Sequence, residues 1–316
     1  MSLPTSTFAT YESKGNREDL SNYIYRVDPT DTPFTSAVDK VKATATSHDW
    51  QTQALAAAST ANAVLEGDDA TTDAATATVR LSNICQISDK VARVTGTQQV
   101  IDKAGRDDEM DYQVLLRGLE LKRDLEAIFL TNQAKVSGDD TTARKLASVL
   151  SWIKTNTDKA SNGSDPSAAD GTGTRTDGTQ RAFTEAQLKT VLNAIWGSGG
   201  DPDTIMLGGF NKQVMSSFVG RGTPTEDTKA KKIVAAVDVY ESDFGTLRIV
   251  PNRNNPRTRD ALILQMNMWA LAYLRNMKKV PLAKTGDSDR IQIICEYSLE
   301  SRNEKASGGV FDLTTS

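Results

Sequence analysis

The sequence predicts an α+β fold, and three observations predict it. Residues 76–94 alternate as a strand does, with Val79, Leu81, Cys85 and Ile87 on one face and Arg80, Ser82, Gln86 and Ser88 on the other. Residues 108–134 change to a helical period, placing Val114, Leu121, Leu125 and Ile128 at spacings of seven, four and three. Near the C-terminus Ile291, Ile293, Cys295, Tyr297 and Leu299 alternate without a break, so β structure flanks the helix on both sides in sequence.

The elements follow in order. Residues 1–45 read as an N-terminal arm, extended or partly helical, whose first 27 residues are largely polar with a small aromatic cluster at Tyr23 and Tyr25. Within it "DPTDTPF" places Pro29 and Pro33 close together, which predicts a rigid elbow rather than a helix, anchored by Phe34 and Val38. Residues 46–96 read as an extended β-hairpin whose returning strand, 76–94, at about 3.3 Å per residue would reach roughly 60 Å. Its tip, "LEGDDATTDAAT", holds no apolar residue larger than Ala after Leu65, so it has no core of its own. Asn83 and Asp89 interrupt the apolar face of the strand.

Asp107 or Asp108 is placed to cap the long helix, with acidic residues in its first turn. Gly118 costs about 1 kcal/mol in its interior and therefore predicts a close contact. A second helix in "RKLASVLSWIKTN" would bring Leu146, Leu150 and Ile153 together. Residues 157–181 contain no large apolar side chain and read as a long solvated loop. "FTEAQLKTVLNAIWGSGG" is a helix with a capping box (Thr184, Gln187), a hydrophobic staple (Phe183, Leu188) and Gly197 at its end. "DTIMLGG" is a short strand, "NKQVMSSFVG" a helix, "VDVYESDFGTLRIVP" a hairpin turning at 243–245, and "RDALILQM" a strand. Residues 147–274 thus form an inserted α+β unit between the helix-bearing segment 97–146 and the C-terminal strands 275–316. There "KKVPLAK" and "RIQIICEYSLE" pair as an antiparallel hairpin.

The chemistry-bearing residues are few. The 316 residues carry 37 Lys and Arg against 41 Asp and Glu, a net charge of −4, which argues against a dedicated nucleic-acid binder. No apolar run approaches the roughly 18–20 residues of a membrane span, and the N-terminus lacks the pattern of a secretory signal, so cytoplasmic synthesis is expected. Cys85 and Cys295 sit in β-like patterns and read as buried small hydrophobes. His48 is the only histidine, too few for a metal pair or a triad. "DGTGTRTDG" lacks the Gly-Lys-Ser/Thr of a phosphate loop, the preceding strand of a dinucleotide fold and the closing Glu of a calcium loop. The two "GDD" strings lie in turn-like sequence. No catalytic residue, cofactor or metal site is predicted.

The order of these elements resembles that of the major capsid proteins of tailed bacteriophages, whose fold is shared with herpesvirus floor domains and encapsulins. Local strings resembling one branch of that family, formerly a domain of unknown function, are "DPTDTPF", "HDWQTQAL", "LEGDDA", "LKRDLEAIFL", "FTEAQLKTVL", "DTIMLGGFNKQVMSSFVG", "VDVYESDFGTLRIVPNR" and "LAKTGDSDRIQIICEYSLESRNEKASGGVF". They span nearly the whole chain, and their order is more specific than any one of them. The resemblance implies that 46–96 is the E-loop lying over an adjacent subunit. It also implies that 97–146 with 275–316 is a peripheral domain built on a spine helix, and that 147–274, with its polar loop 157–181, is the axial domain.

It further implies a structural protein that assembles with itself into hexamers and pentamers of an icosahedral or prolate virion head. Such a head encloses double-stranded DNA without reading its sequence, with a portal, a scaffolding protein and in some relatives a decoration protein as partners, and no membrane. The chain reaches its arm and hairpin too early for a fused scaffolding segment, so a separate scaffolding protein is expected. Trp50, Leu65, Glu66, Val79, Leu81 and Ile87 are the expected inter-subunit residues. Some relatives cross-link a hairpin lysine to a neighbour's asparagine. Between Ala43 and Asp89 this chain has no lysine, so no such bond is expected. The alternatives are an encapsulin-like shell around enzyme cargo, a Thr/Ala-rich adhesin, and an enzyme with an unrecognised site.

Overall fold

The computed structural model describes residues 28–69, 74–218 and 238–316. The arm segment with Tyr23 and Tyr25, and residues 70–73 of the hairpin tip, lie outside them. Among the described residues the chain begins with a one-turn helix, α1 (Pro33–Ala37), where an elbow without helix was expected. Pro33 stands in the first turn, where its missing N–H costs nothing. Phe34 and Val38 are buried, as the anchor reading requires.

Four strands form the first sheet in the order β1 (Asp39–Lys42), β10 (Trp269–Pro281), β11 (Ser288–Ser301) and β4 (Gln86–Thr95). β1 runs parallel to β10, and the other neighbours are antiparallel. One face of this sheet packs on α3 (Glu109–Leu130), the expected long helix, whose N-cap Asp108 accepts from the N–H of Asp111 at 2.8 Å. Val114, Leu121 and Leu125 of α3 share a core with Ile293, Cys295, Tyr297 and Leu299 of β11. Phe129 meets Tyr297 edge-on at 5.3 Å. Gly118 departs from expectation: a Cβ there would meet only Ile293 Cδ1, at 3.9 Å, which is ordinary contact.

A short helix, α2 (Gly96–Val100), leads from β4 toward α3. After α3 the chain makes α4 (Val149–Trp152), a single turn around which Leu146, Leu150 and Ile153 are fully buried. The second sheet has the order β5 (Thr157–Asp158), β12 (Gly308–Val310), β9 (Ala261–Leu264), β6 (Thr204–Leu207), β8 (Gly245–Pro251) and β7 (Val239–Ser242). Its central strands β6 and β9 are buried at every position. Met206, Leu262 and Leu264 face the core around α3, while Ile205, Leu207, Ala261 and Ile263 face α5 (Glu185–Gly197) and its cluster. That two-sided burial explains why these strands read as continuous apolar runs.

α5 has the predicted capping box, with Thr184 and Gln187 exchanging bonds, and both staple residues, Phe183 and Leu188, are buried. Its end differs: the helix runs through Gly197, and Gly199, at φ +83°, takes the left-handed position after the Ser198 cap. α6 (Gly209–Ser216) follows β6.

Two boundaries shift relative to expectation. β10 begins at Trp269, so the residues before 275 already belong to the first sheet. The C-terminus leaves that sheet again, since β12 pairs with β5 and β9 in the second. Segment 157–181 also departs from the solvated-loop expectation, because charge pairs fasten it. Arg175 is buried against Asp165 and lies over the Phe311 ring, 3.3 Å from its centroid. Arg257 forks onto Asp177 and also bonds Asp260 at 2.7 Å. Asp312 accepts from the N–H groups of Gly178 (2.7 Å) and Ala160 (3.2 Å) and from Arg259 (2.9 Å). These partners stand up to 152 positions apart, so no local pattern in the sequence announces them.

Candidate assembly surface

The expected single strand 76–94 is two strands with different partners. β3 (Val79–Ile84) pairs antiparallel with β2 (Ser47–Thr52), from Ser47 opposite Ile84 to Thr52 opposite Val79. β4 pairs with β11 instead, so Ile87 stands opposite Glu296 in the first sheet and outside the hairpin. Cys85 lies between the two ladders, buried with Ala43 and Ala272, its N–H bonded to Thr46 O at 2.8 Å. The inward face changes parity there, from Leu81 and Asn83 before it to Ala92 and Val94 after it. A one-residue break between ladders has that consequence because side chains alternate with period two.

The hairpin base is fastened to its own subunit. Trp50 Nε1 donates to Ser301 O at 2.8 Å, and the Trp50 ring lies 5.3 Å from that of Trp152. His48 Nε2 is 3.0 Å from Glu300 Oε2. Asn83, which looked like a flaw in the apolar face, is fully buried and fully used: its Nδ2 donates to Leu299 O (2.7 Å) and Ala147 O (3.1 Å), and its Oδ1 accepts from the N–H of Ala147 (2.8 Å) and Ile84 (2.9 Å). Lys135 Nζ donates to Ser82 O at 2.8 Å. Asp89 faces outward and accepts from Gln292 Nε2 at 2.6 Å.

Beyond Thr52 and Val79 the β ladder stops, well short of 60 Å of strand. Residues 53–69 and 74–78 carry no regular strand, and few bonds cross between the legs, such as Gln53 Nε2 to Thr76 O at 3.0 Å. Small side chains explain this, since Ala and Thr leave too little cross-strand contact to hold a two-stranded ribbon in water. A turn at the tip closes with Asp68 N–H on Leu65 O at 3.2 Å, and Gly67 supplies its φ of +87°.

The six expected assembly residues therefore divide. Trp50 and Leu81 pack against the subunit's own core. Leu65 (79 % exposed), Glu66 and Val79 (59 % exposed) project from it. Ile87 is 44 % exposed, on the face of the first sheet opposite α3 and beside the buried Glu296, which Arg144 and Arg275 hold at 2.6 and 2.8 Å. Leu55 and Val64, both strongly exposed, were missed. Isolated apolar residues inside an Ala-rich polar stretch were the available signal.

The electrostatics assign no chemistry. The bond from His48 holds the Glu300 carboxyl below its ordinary value, and the Ser47 hydroxyl, with Arg80, does the same for Asp49. Burial pushes the Cys85 thiol to about 11 and the Cys295 thiol to about 12, far from thiolate nucleophiles at neutral pH. Among the described residues no group of three His, Cys, Asp or Glu could hold a metal ion, and no helix is long and apolar enough to cross a membrane.

The whole chain matches known proteins. The family model described as SU10 major capsid protein matches residues 4–314. The chain is 29 % identical to the major capsid protein of Escherichia phage Phieco32, over 98 % of both sequences. Its fold is similar to a chain of the capsid asymmetric unit of Cyanophage A-1(L), with a TM-score of 0.67 at 12 % identity, covering 97 % of this chain and 99 % of that one. A chain from Gordonia phage Cozz gives a TM-score of 0.63 at 9 % identity, covering 100 % and 99 %.

Proposed function

The chain belongs to the SU10 major capsid protein family, and from that premise we propose how its geometry builds a phage head. It is a structural protein and not an enzyme. The hairpin 47–84 is the arm by which one subunit lies over the next, and the body formed by the two sheets is the tile. One observation carries this reading: a hairpin bonded firmly at its base exposes Leu55, Val64 and Leu65 beyond the last strand pair. An ordered base costs conformational entropy, and apolar residues held out in water return nothing unless a second surface covers them.

The segment around α3, with β4, β10 and β11, serves as the peripheral domain of that tile, and the second sheet with α5 and α6 as the axial domain. Subunits close into hexamers and pentamers around double-stranded DNA, which an acidic chain encloses without binding tightly. A scaffolding protein, a portal and a decoration protein are the partners this reading assigns, in a head assembled in the host cytoplasm.

The test is electron microscopy of the full chain expressed with its neighbouring gene products. Uniform closed shells support the reading, and a monomer under all conditions overturns it. Replacing residues 54–75 by a short Gly-Ser turn should leave the body folded by circular dichroism and abolish shells. DNA inside the particles distinguishes a phage head from a shell around enzyme cargo.

A further inference from the structure

Three of the clefts in the described surface bear on assembly. One lies beside Lys90 and Arg123 but is also lined by Glu120 and Asp124. Another, beside Ile87, carries Asp139 and an Arg144 already paired with Glu296. The third, about 880 Å³, opens between β1, α3 and β10 and differs in kind. Lys40, Lys42 and Lys122 line it with no carboxylate among its walls, and Tyr273, Leu274 and Met277 supply apolar surface. All three lysines are exposed, and none has an ion-pair partner among the described residues. Holding three unpaired ammonium groups around one cleft gives a locally positive potential in a chain whose net charge is negative.

The hairpin tip is the chemical complement. Glu66, Asp68 and Asp69 follow Val64 and Leu65 within six residues, all exposed, and the turn at Gly67 presents them together. Twelve residues separate Thr52 from Leu65, and an extended chain spans at most about 3.3–3.6 Å per residue, so the tip reaches on the order of 40 Å past the last strand pair. That is the scale of a neighbouring subunit's body.

We propose that the acidic tip, residues 64–69, seats in the lysine-lined cleft between β1, α3 and β10 of a second copy of this chain. The carboxylates meet Lys40, Lys42 and Lys122, while Val64 and Leu65 lie against Tyr273, Leu274 and Met277. The proposal rests on the reading of the hairpin as an arm over a neighbour, and adds where on that neighbour it lands. Being a charged contact near the surface, it weakens with salt.

The test uses full-length chains. One bears Lys42→Cys and the other Asp68→Cys; they are co-assembled and oxidised, the native thiols being buried. The expected result is a disulfide-linked dimer on a non-reducing gel, absent when either variant assembles alone. Separately, Lys40→Glu, Lys42→Glu and Lys122→Glu together should abolish shells, and Glu66→Lys, Asp68→Lys and Asp69→Lys in the same chain should restore them. Closed shells without the cross-link, or undiminished shells from the triple Glu variant, would overturn the proposal. If the triple variant loses its circular dichroism signal, the cysteine pair alone decides. Failure of the unmodified chain to form shells is a separate outcome and counts against the functional reading itself.

Discussion

Glu126 and Phe34 are joined across 92 positions of sequence: the buried carboxylate of Glu126 accepts the backbone N–H of Phe34 at 2.8 Å. It also takes the N–H of Thr35 at 2.9 Å and Nδ2 of Asn252 at 2.7 Å. One side chain near the C-terminal end of α3 thus caps α1 and ties down the end of β8. Glu126→Ala would take the acceptor from the buried N–H of Phe34, the half-buried N–H of Thr35 and Asn252 Nδ2, and should cost about 3 kcal/mol. Glu126→Gln, which keeps one acceptor, should cost less. Urea unfolding of the three proteins measures the order.

Gly118→Ala should stabilise the chain by about 0.5–1 kcal/mol, because the added methyl gains helix propensity and meets nothing closer than 3.9 Å. A raised denaturation midpoint with an unchanged slope is the expected readout. A loss of stability would mean that α3 and β11 pack more tightly than the geometry indicates.

Asp312 holds a left-handed backbone, φ +62°, while its carboxylate fastens both ends of the 160–178 region. Asp312→Ala loses those bonds and strains the backbone, a cost of about 3 kcal/mol. Limited proteolysis should then cut within residues 157–181, where the parent chain resists. Asp312→Asn tolerates the same backbone and should fall between the two.

The Glu300 carboxyl is held below the ordinary glutamate value, first by the His48 bond. For a depressed carboxylate the stabilisation is present above the unfolded value and is lost as pH falls through the lower folded one. Acid unfolding should therefore draw on this pair below about pH 4.5, and Glu300→Gln should flatten that part of the profile. Measuring stability every half unit from pH 6 downward resolves the difference.

With no lysine between Ala43 and Asp89, mature particles boiled in denaturant should run as a single monomer band. A ladder of covalent multimers would show a cross-link that this hairpin lacks the amine to make.

The sequence carries what local periodicity and end signals can encode. It placed α3 with a cap at Asp107 or Asp108, of which the structure uses Asp108, the capping box of α5, the alternating face of β11, and a hairpin tip too poor in apolar surface to fold alone. Its single histidine and scattered acids gave no reason to expect a catalytic site. Only the tertiary structure decided three things. The parity break at Cys85 divides one apparent strand between two sheets, because the choice of partner depends on β2 and β11, far away in sequence. Segment 157–181 is ordered by Arg and Asp pairs from distant positions, which composition reads only as polarity. Trp50 and Leu81 turn inward while Leu65 and Val79 stay out, because the ladder ends where cross-strand contact becomes too small to sustain it. Period specifies which residues share a face, but what covers that face is set by parts of the chain, or of its neighbour, that no local window contains.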